Sequence, residues 1–163
     1  MREIIKYPNN VLTTPTTLVK EIDDELVDLL DEMHDMMVKH DGIGLAANQL
    51  GESLRVAVVQ IDDESGLFEM INPKIIKTKG KTIDVEGCLS FPEVYGTVER
   101  FDELTVRFVD REGYEVEVET SGYLSRVMQH EIEHLDGKLF TDKIIERIAP
   151  DELIDYMEER GYD

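Results

Sequence analysis

The 163-residue chain has one cysteine, Cys88, no tryptophan, and only 7% aromatic residues. A single cysteine excludes an internal disulfide and suits a reducing compartment, so we expect a cytoplasmic protein. No apolar run is long enough to cross a membrane, and polar residues follow the short start Met1–Lys6, so neither a membrane span nor a signal peptide is expected. Since no repeat or low-complexity linker interrupts it either, we expect one catalytic domain over residues 1–163.

Basic residues are also scarce. Lysine and arginine number 17 against 37 acidic residues, which gives a formal charge of −20. A field of this sign opposes non-specific binding to nucleic acid and docking on anionic membranes. It would also repel acidic peptides at long range. We therefore expect no direct nucleic-acid or membrane partner.

Two histidines four residues apart dominate what the chain does contain, in His130-Glu131-Ile132-Glu133-His134. Apolar residues recur around them at helical spacing and predict a helix over residues 122–136, with Gly137 as its terminator. On a helix the two imidazoles share one face, and Glu131 follows the first, as in hydrolytic metal centres. The alternative is a solvated helix face with two surface histidines. Because both border the apolar stripe, we expect partial burial, which favours a ligand role.

A third ligand is available in Glu86-Gly87-Cys88-Leu89-Ser90. A lone cysteine is more often a small buried hydrophobic residue. Here Cys88 follows a glycine in a short segment between predicted strands, where a thiolate could reach a metal. With His130 and His134 it would leave a fourth position open, as catalytic sites do.

The segment Gly42-Ile43-Gly44-Leu45-Ala46-Ala47-Asn48-Gln49 joins a predicted helix to an apolar strand. Its spacing is not that of a phosphate-binding loop, because no Lys-Ser or Lys-Thr ends it. It could be a plain helix terminus with Gly42 as the terminator. Alternatively, its small residues let the backbone approach a ligand, and Gln49 donates an amide hydrogen to an oxyanion.

Together and in this order, the segments GIGLAANQ, EGCLS and QHEIEHLDG resemble the three signature motifs of peptide deformylases, over nearly the whole chain. The resemblance implies a metal-dependent hydrolase that removes the formyl group from the N-terminal formylmethionine of nascent polypeptides. Metal-bound water or hydroxide would attack the formyl carbon. The cofactor would be one divalent metal ion, with Fe(II) as the native one and zinc, nickel or cobalt as substitutes.

Residue roles follow from the same resemblance. Glu131 would act as general base and then acid, and Glu86 would pair with Arg100. The other roles are metal ligation by Cys88, His130 and His134, oxyanion binding by Gln49 and the N–H of Leu89, and substrate contact by Ile43, Gly44 and Gly87.

Three features of the chain concern the recognition of the peptide and of the ribosome. Tyr95 stands where some members carry arginine near the peptide. Tyr123 and Val127 are our candidates for the pocket that takes the first side chain. Some members also have a basic C-terminal helix that docks on the ribosome, and we expect no such docking here. After Pro150 the chain has one basic residue against six acidic ones: Arg160 against Asp151, Glu152, Asp155, Glu158, Glu159 and Asp163.

Other functions remain possible on the residues alone. A zinc peptidase uses the same helical motif, but its third ligand is usually a downstream histidine or glutamate, and the remaining histidines, His34 and His40, lie upstream. A metal-stabilised module that captures peptide N-termini is a second alternative. A member of the family acting on an unusual formylated substrate is the third.

The pattern as a whole predicts an α+β fold, with small antiparallel or mixed sheets packed around a central helix that carries the histidine motif. Acidic residues at 23–25 predict the start of a helix that runs to Gly42, and Pro150 predicts the start of a final helix to about Glu159. Strands are expected over residues 54–61 and 67–72, two short ones around Gly80, and a hairpin over residues 104–109 and 114–120.

Overall fold

The computed structural model describes residues 2–159. Its α-helices are α1 (Asn10–Thr13), α2 (Asp24–Lys39), α3 (Gly122–Leu135) and α4 (Leu153–Glu159). Its strands are β1 (Gly44–Ala46), β2 (Val56–Val59), β3 (Phe68–Lys79), β4 (Thr82–Cys88), β5 (Phe91–Arg100), β6 (Glu103–Val109), β7 (Glu115–Ser121) and β8 (Arg147–Ile148). Short 3-10 turns cover Ala47–Leu50, Phe140–Lys143 and Pro150–Glu152.

The strands form two antiparallel sheets, so the expected α+β class is confirmed. One has the order β1-β2-β3-β6-β7 and the other β4-β5-β8. Helix α3 packs its apolar side against β1 and β2 and is buried along most of its length. The motif-bearing helix is thus central, and β1 lies at a free edge of the larger sheet.

Helix α2 covers the other side of β1 and β2. The Asp23 side chain accepts from the Leu26 N–H and caps the helix start, and Asp24 and Glu25 complement its dipole. The apolar stripe of α2 is fully buried: Leu26, Leu29, Leu30, Met33, Met36 and Met37. These methionines therefore fill the core.

The prediction that Gly42 terminates α2 is wrong. The helix ends at Lys39, Asp41 adopts the left-handed conformation with φ of 57°, and the Gly42 N–H donates to the Met37 carbonyl at 2.8 Å. Asp tolerates this conformation better than most residues. Gly42 has another constraint, because a Cβ there would stand 2.9 Å from the Leu89 side chain. Gly137, with φ of 75°, does end α3 as expected.

Strand boundaries differ most around Pro73. Instead of ending near Asn72, β3 continues to Lys79, and its pairing with β6 shifts register twice, between Ile71 and Lys74 and between Ile75 and Lys77. The first of these shifts contains Pro73, and a strand tolerates proline at such an irregularity. Gly80 then turns the chain into β4, so the two short strands expected around it are long ones.

Three strands were not expected from the sequence: β1, β5 and β8. Cys88 is the last residue of β4 and not part of a segment between strands, and β5 follows after two residues. β1 occupies the small-residue segment that was read as a turn. The predicted β6–β7 hairpin is present, and the C-terminal helix begins as a 3-10 turn at Pro150. Arg160 and Asp163 of the acidic tail lie outside the described residues.

None of the helices in the described part of the chain is both long enough and apolar enough to cross a bilayer.

Candidate active site

Three candidate ligands from two elements meet beside β1. Cys88 lies at the end of β4, and His130 and His134 lie one turn apart on α3. One ligand atom from each residue lies within 4.8 Å of the others, and Cys88 Sγ is 3.2 Å from His134 Nε2. Both imidazoles are buried, so the alternative of two surface histidines is wrong.

This cluster fits a metal ion. Metal–sulfur bonds of about 2.3 Å and metal–nitrogen bonds of about 2.0–2.1 Å place tetrahedral ligand atoms roughly 3.3–3.6 Å apart. His130 Nδ1 donates to Glu86, which leaves its Nε2 for the shared point. Burial, together with the charges of His130 and Arg100, holds the pKa of His134 well below its usual value. The neutral imidazole that results is the form that ligates metals.

Glu86 orients His130 from behind. Its Oε1 accepts from His130 Nδ1 at 2.8 Å and from Arg100 Nη2 at 2.9 Å. Burial would raise the pKa of this carboxyl, but hydrogen bonds from Arg100 and His130 outweigh burial and lower it. The expected Glu86–Arg100 pair is therefore present, and a carboxylate behind a ligand histidine fixes its tautomer.

Sequence reasoning missed a second arginine in this network. Arg126 Nη1 donates to Glu86 Oε2 at 2.7 Å and to the Val98 carbonyl at 2.8 Å, and its side chain is buried. Arg100 also pairs with Glu133, which in turn binds Lys143. The sequence does contain a pattern that could have pointed to Arg126. It stands four residues before His130, where a charged residue interrupts the apolar side of α3.

Glu131 points into the same space. Its carboxylate is buried, its Oε1 has no hydrogen-bond partner within residues 2–159, and burial raises its pKa to about 7. An unpartnered buried carboxylate destabilises a fold, so the group is better explained by a reaction than by packing. A pKa near neutrality also suits a group that takes up and returns a proton.

Gly44 on β1 leaves the room that Glu131 needs. A Cβ at residue 44 would stand 2.5 Å from Glu131 Oε2. We predict that Gly44→Ala displaces the carboxylate and lowers kcat/KM by about 100-fold, as misplacements of about 1 Å do. Steady-state kinetics at equal metal content check this. Gly66→Ala strains the backbone of a turn where φ is 80° without meeting any neighbouring side chain, so it controls for a general loss of stability. Unchanged kinetics of Gly44→Ala would contradict the assigned geometry.

Gln49 and Leu89 border the cluster on its third side. Gln49 Oε1 accepts from the Ala46 N–H at 2.9 Å, and Nε2 donates to Ser90 Oγ at 3.1 Å and lies 3.6 Å from Cys88 Sγ. Ser90 in turn donates to the Ile5 carbonyl. These hydrogen bonds therefore fix the side-chain amide of Gln49 with its Nε2 beside the three candidate metal ligands. Leu89 is in the turn between β4 and β5, so its N–H lies outside the ladder of those strands.

An open cleft of about 610 Å³ leads to these residues. His34, in contrast, bonds to Gln60 and lies outside the cluster. A smaller cavity of about 90 Å³ adjoins the cleft, and its lining includes Tyr123, Val127 and Val85. The structure thus brings all the predicted site residues to the cleft or its side cavity: Ile43, Gly44, Gln49, Gly87, Cys88, Leu89, Tyr123, Val127, His130, Glu131 and, behind them, His134.

Comparisons with known proteins agree with this geometry. The family model described as polypeptide deformylase matches residues 1–149. Peptide deformylase 1 of Bacillus cereus is 50% identical over 151 residues, covering 93% of this chain and 97% of its own. Peptide deformylase 1 of Bacillus subtilis is 45% identical over 155 residues, covering 95% and 97%. The crystal structure of peptide deformylase from Thermotoga maritima has a TM-score of 0.85 at 36% identity, covering 88% and 97%.

Proposed function

We propose the following mechanism from the premise that the chain belongs to the polypeptide deformylase family. Its activity is removal of the formyl group from an N-terminal formylmethionine, by hydrolysis. The observation that carries the mechanism is the buried Glu131 carboxylate beside the convergent Cys88, His130 and His134. These three side chains would hold one divalent ion, and we propose Fe(II), with zinc, nickel or cobalt able to replace it.

When bound, such an ion would lower the pKa of water to about 7 and polarise a carbonyl oxygen. Glu131 takes the proton from the attacking water and later delivers it to the leaving amine. Its pKa of about 7, raised by burial, suits both transfers. Atoms balance, because water supplies the hydroxyl of formic acid and the hydrogen of the free amine.

The oxyanion that forms at the formyl carbon needs fixed donors. We assign this role to Gln49 Nε2 and the Leu89 N–H. The Gln49 amide is held by Ala46 and Ser90 before substrate arrives, so little reorganisation is required. Such preorganised donors contribute most in a site from which water is excluded.

Gln49→Ala is expected to lower kcat by about 100- to 1000-fold, as loss of one oxyanion donor does elsewhere. Its metal content should not change, since Gln49 is not a proposed ligand. Single-turnover kinetics with metal quantified in the same sample measure this. Gln129→Ala is the control on α3, since that amide binds Phe101 and Ser125 away from the cluster. A Gln49→Ala rate within threefold of wild type would refute the donor role.

The side cavity and the sheet edge fit a formylmethionyl peptide as substrate. The side cavity is lined partly by Ile43, Val85, Tyr123 and Val127 and would take the flexible, apolar methionine side chain. Gly44 and Ile43 lie at the free edge of the larger sheet, where an extended peptide can add as a strand. Gly87 also lines the cleft and has no room for a side chain, because a Cβ there would stand 2.8 Å from the Tyr95 ring.

The zinc peptidase alternative lacks a third ligand downstream. Among residues 2–159 the one group of metal-ligating side chains includes Cys88, which precedes the helix. Matched peptides distinguish a deformylase from a zinc peptidase. We expect formate from formyl-Met-Ala-Ser and no cleavage of acetyl-Met-Ala-Ser or of internal peptide bonds. Internal cleavage without formate release would support the peptidase, and capture of the peptide without turnover would support a binding module.

We further propose that the substrates are nascent chains in the cytoplasm. Ribosome proximity would be transient, because the segment after Pro150 is acidic. Neither nucleic acid nor membrane is proposed as a direct partner. Retention on ribosomes at low salt that is lost when residues after 150 are removed would contradict this.

A further inference from the structure

The direction in which a substrate leaves the metal cluster is limited by β1. Gly44 adjoins Glu131, so the formylmethionine lies at this end of the strand edge. Beyond it, Leu45, Ala46, Ala47, Asn48 and Gln49 are almost completely buried. A peptide paired with this edge must therefore run the other way, past Gly42 toward His40. This step rests on the proposed function.

A basic pocket lies at that end. Its volume is about 390 Å³, and its lining overlaps that of the main cleft at Lys6, His40 and Leu89, so the two are continuous. Its remaining lining residues are Arg2, Glu3, Ile4, Met36 and Lys39. A chain of charge −20 thus places several of its 17 basic residues together at the end of its substrate cleft.

Two of these cations lack an ion pair. Arg2 pairs with two carboxylates, Glu32 and Glu52, which together exceed its single positive charge. Lys6 and Lys39, in contrast, are exposed and have no carboxylate partner within 4.0 Å among residues 2–159. Carboxylates are not absent nearby, since Glu3 lines the pocket and Asp41 and Glu93 line the cleft before it. Glu3 is thus the one carboxylate among the described residues that line the pocket, while Glu32 and Glu52 are paired with Arg2.

We propose that this pocket receives a carboxylate of the substrate, at its fourth or fifth residue. Residues 40–42 form the turn that ends α2, so the path from Gly44 to His40 is at most the roughly 13 Å that four extended residues span at about 3.3 Å each. A peptide that starts beside Gly44 would bring its fourth or fifth side chain to Lys6 and Lys39. The preferred substrate is thus a formylmethionyl peptide with aspartate or glutamate there.

The net charge of the protein opposes this preference only at long range. Charges separated by more than about 8 Å are largely screened at physiological ionic strength. A carboxylate in the pocket lies within direct reach of the two lysines, where attraction persists. Acidic peptides should therefore be preferred at physiological salt, and the preference should decrease as salt is added.

The test compares formyl-Met-Ala-Ser-Ala-Ala-amide with peptides that carry Glu or Lys at the fourth or fifth position, using metal-loaded enzyme. For Glu we expect kcat/KM to rise about 1.5- to 5-fold through KM, the range of an exposed ion pair. Lys6→Ala/Lys39→Ala should abolish that difference, measured as the ratio of kcat/KM for the Glu and Ala peptides within the variant. Lys74→Ala/Lys77→Ala removes the same charge from exposed lysines on β3.

Outcomes separate this inference from the proposed function. Equal kcat/KM for Glu, Ala and Lys peptides, or a preference lost equally in both double variants, would overturn the pocket and leave deformylation intact. No turnover of any peptide by metal-loaded wild type would refute the function itself. Because Lys39 lies in the last turn of α2, Lys6→Ala alone is measured as well, since Lys6 lies outside every helix and strand.

Discussion

Glu131→Gln is expected to lower formate release by about 100- to 10,000-fold while the protein keeps its metal, because the change removes only the proton carrier. The side chain keeps its size, so the cavity beside Gly44 stays filled. Its buried Oε1 has no partner among residues 2–159, so an amide should fold there at least as well as a carboxylate. Unfolding midpoint and metal content should therefore match wild type.

The control is Glu119→Gln, which removes the same charge from an exposed position on β7. It should leave kcat/KM unchanged. If Glu131→Gln kept wild-type turnover, the general-base assignment would be wrong. If it lost its metal, Glu131 would be a ligand and not a base.

The second large effect concerns the ligands. Cys88→Ala, His130→Ala and His134→Ala should each lose metal and activity together. Even outer-shell partners of a metal typically contribute about 10- to 100-fold in affinity, and a direct ligand should exceed that. Metal per chain, measured by mass spectrometry after dialysis, is the readout. His34→Ala should retain its metal, since that histidine bonds to Gln60 outside the cluster.

Metal loss should also lower thermal stability of the wild type, because an ion that binds the folded chain stabilises it by mass action. A chelator should therefore reduce the melting temperature of wild type and not that of His134→Ala. Equal shifts in both proteins would place the ion elsewhere. The peptidase alternative would be supported if Cys88→Ser kept its full metal content and cleaved internal peptide bonds.

The residues of the site were predicted from the sequence more accurately than the positions of the strands. His130 and His134 share one helix, so helical periodicity alone places them together. Cys88 is 42 residues away from His130, and its position depends on the register of β4 with β5, which local patterns do not show. The ligand count of a catalytic metal site suggested its connection with the helix, and the resemblance of three separate motifs supported it. The same resemblance suggested the Glu86–Arg100 pair.

What remained hidden depends on tertiary packing. In the sequence Arg126 only interrupts an apolar stripe, and its role becomes visible when the fold brings Glu86 of β4 against it. β5 was missed because Pro92 and Gly96 weaken its pattern, although the strand is held on both sides by β4 and β8. The pocket of Lys6 and Lys39 joins an N-terminal segment to the end of α2. No periodicity links those segments.

The most direct measurement is formate release from formyl-Met-Ala-Ser by protein purified without oxygen and loaded with Fe(II) or Ni(II), with Glu131→Gln loaded in the same way. Equal amounts of formate and free amine from wild type, and almost none from the variant, are the result that this account predicts. A folded, metal-loaded wild type that releases no formate would contradict it.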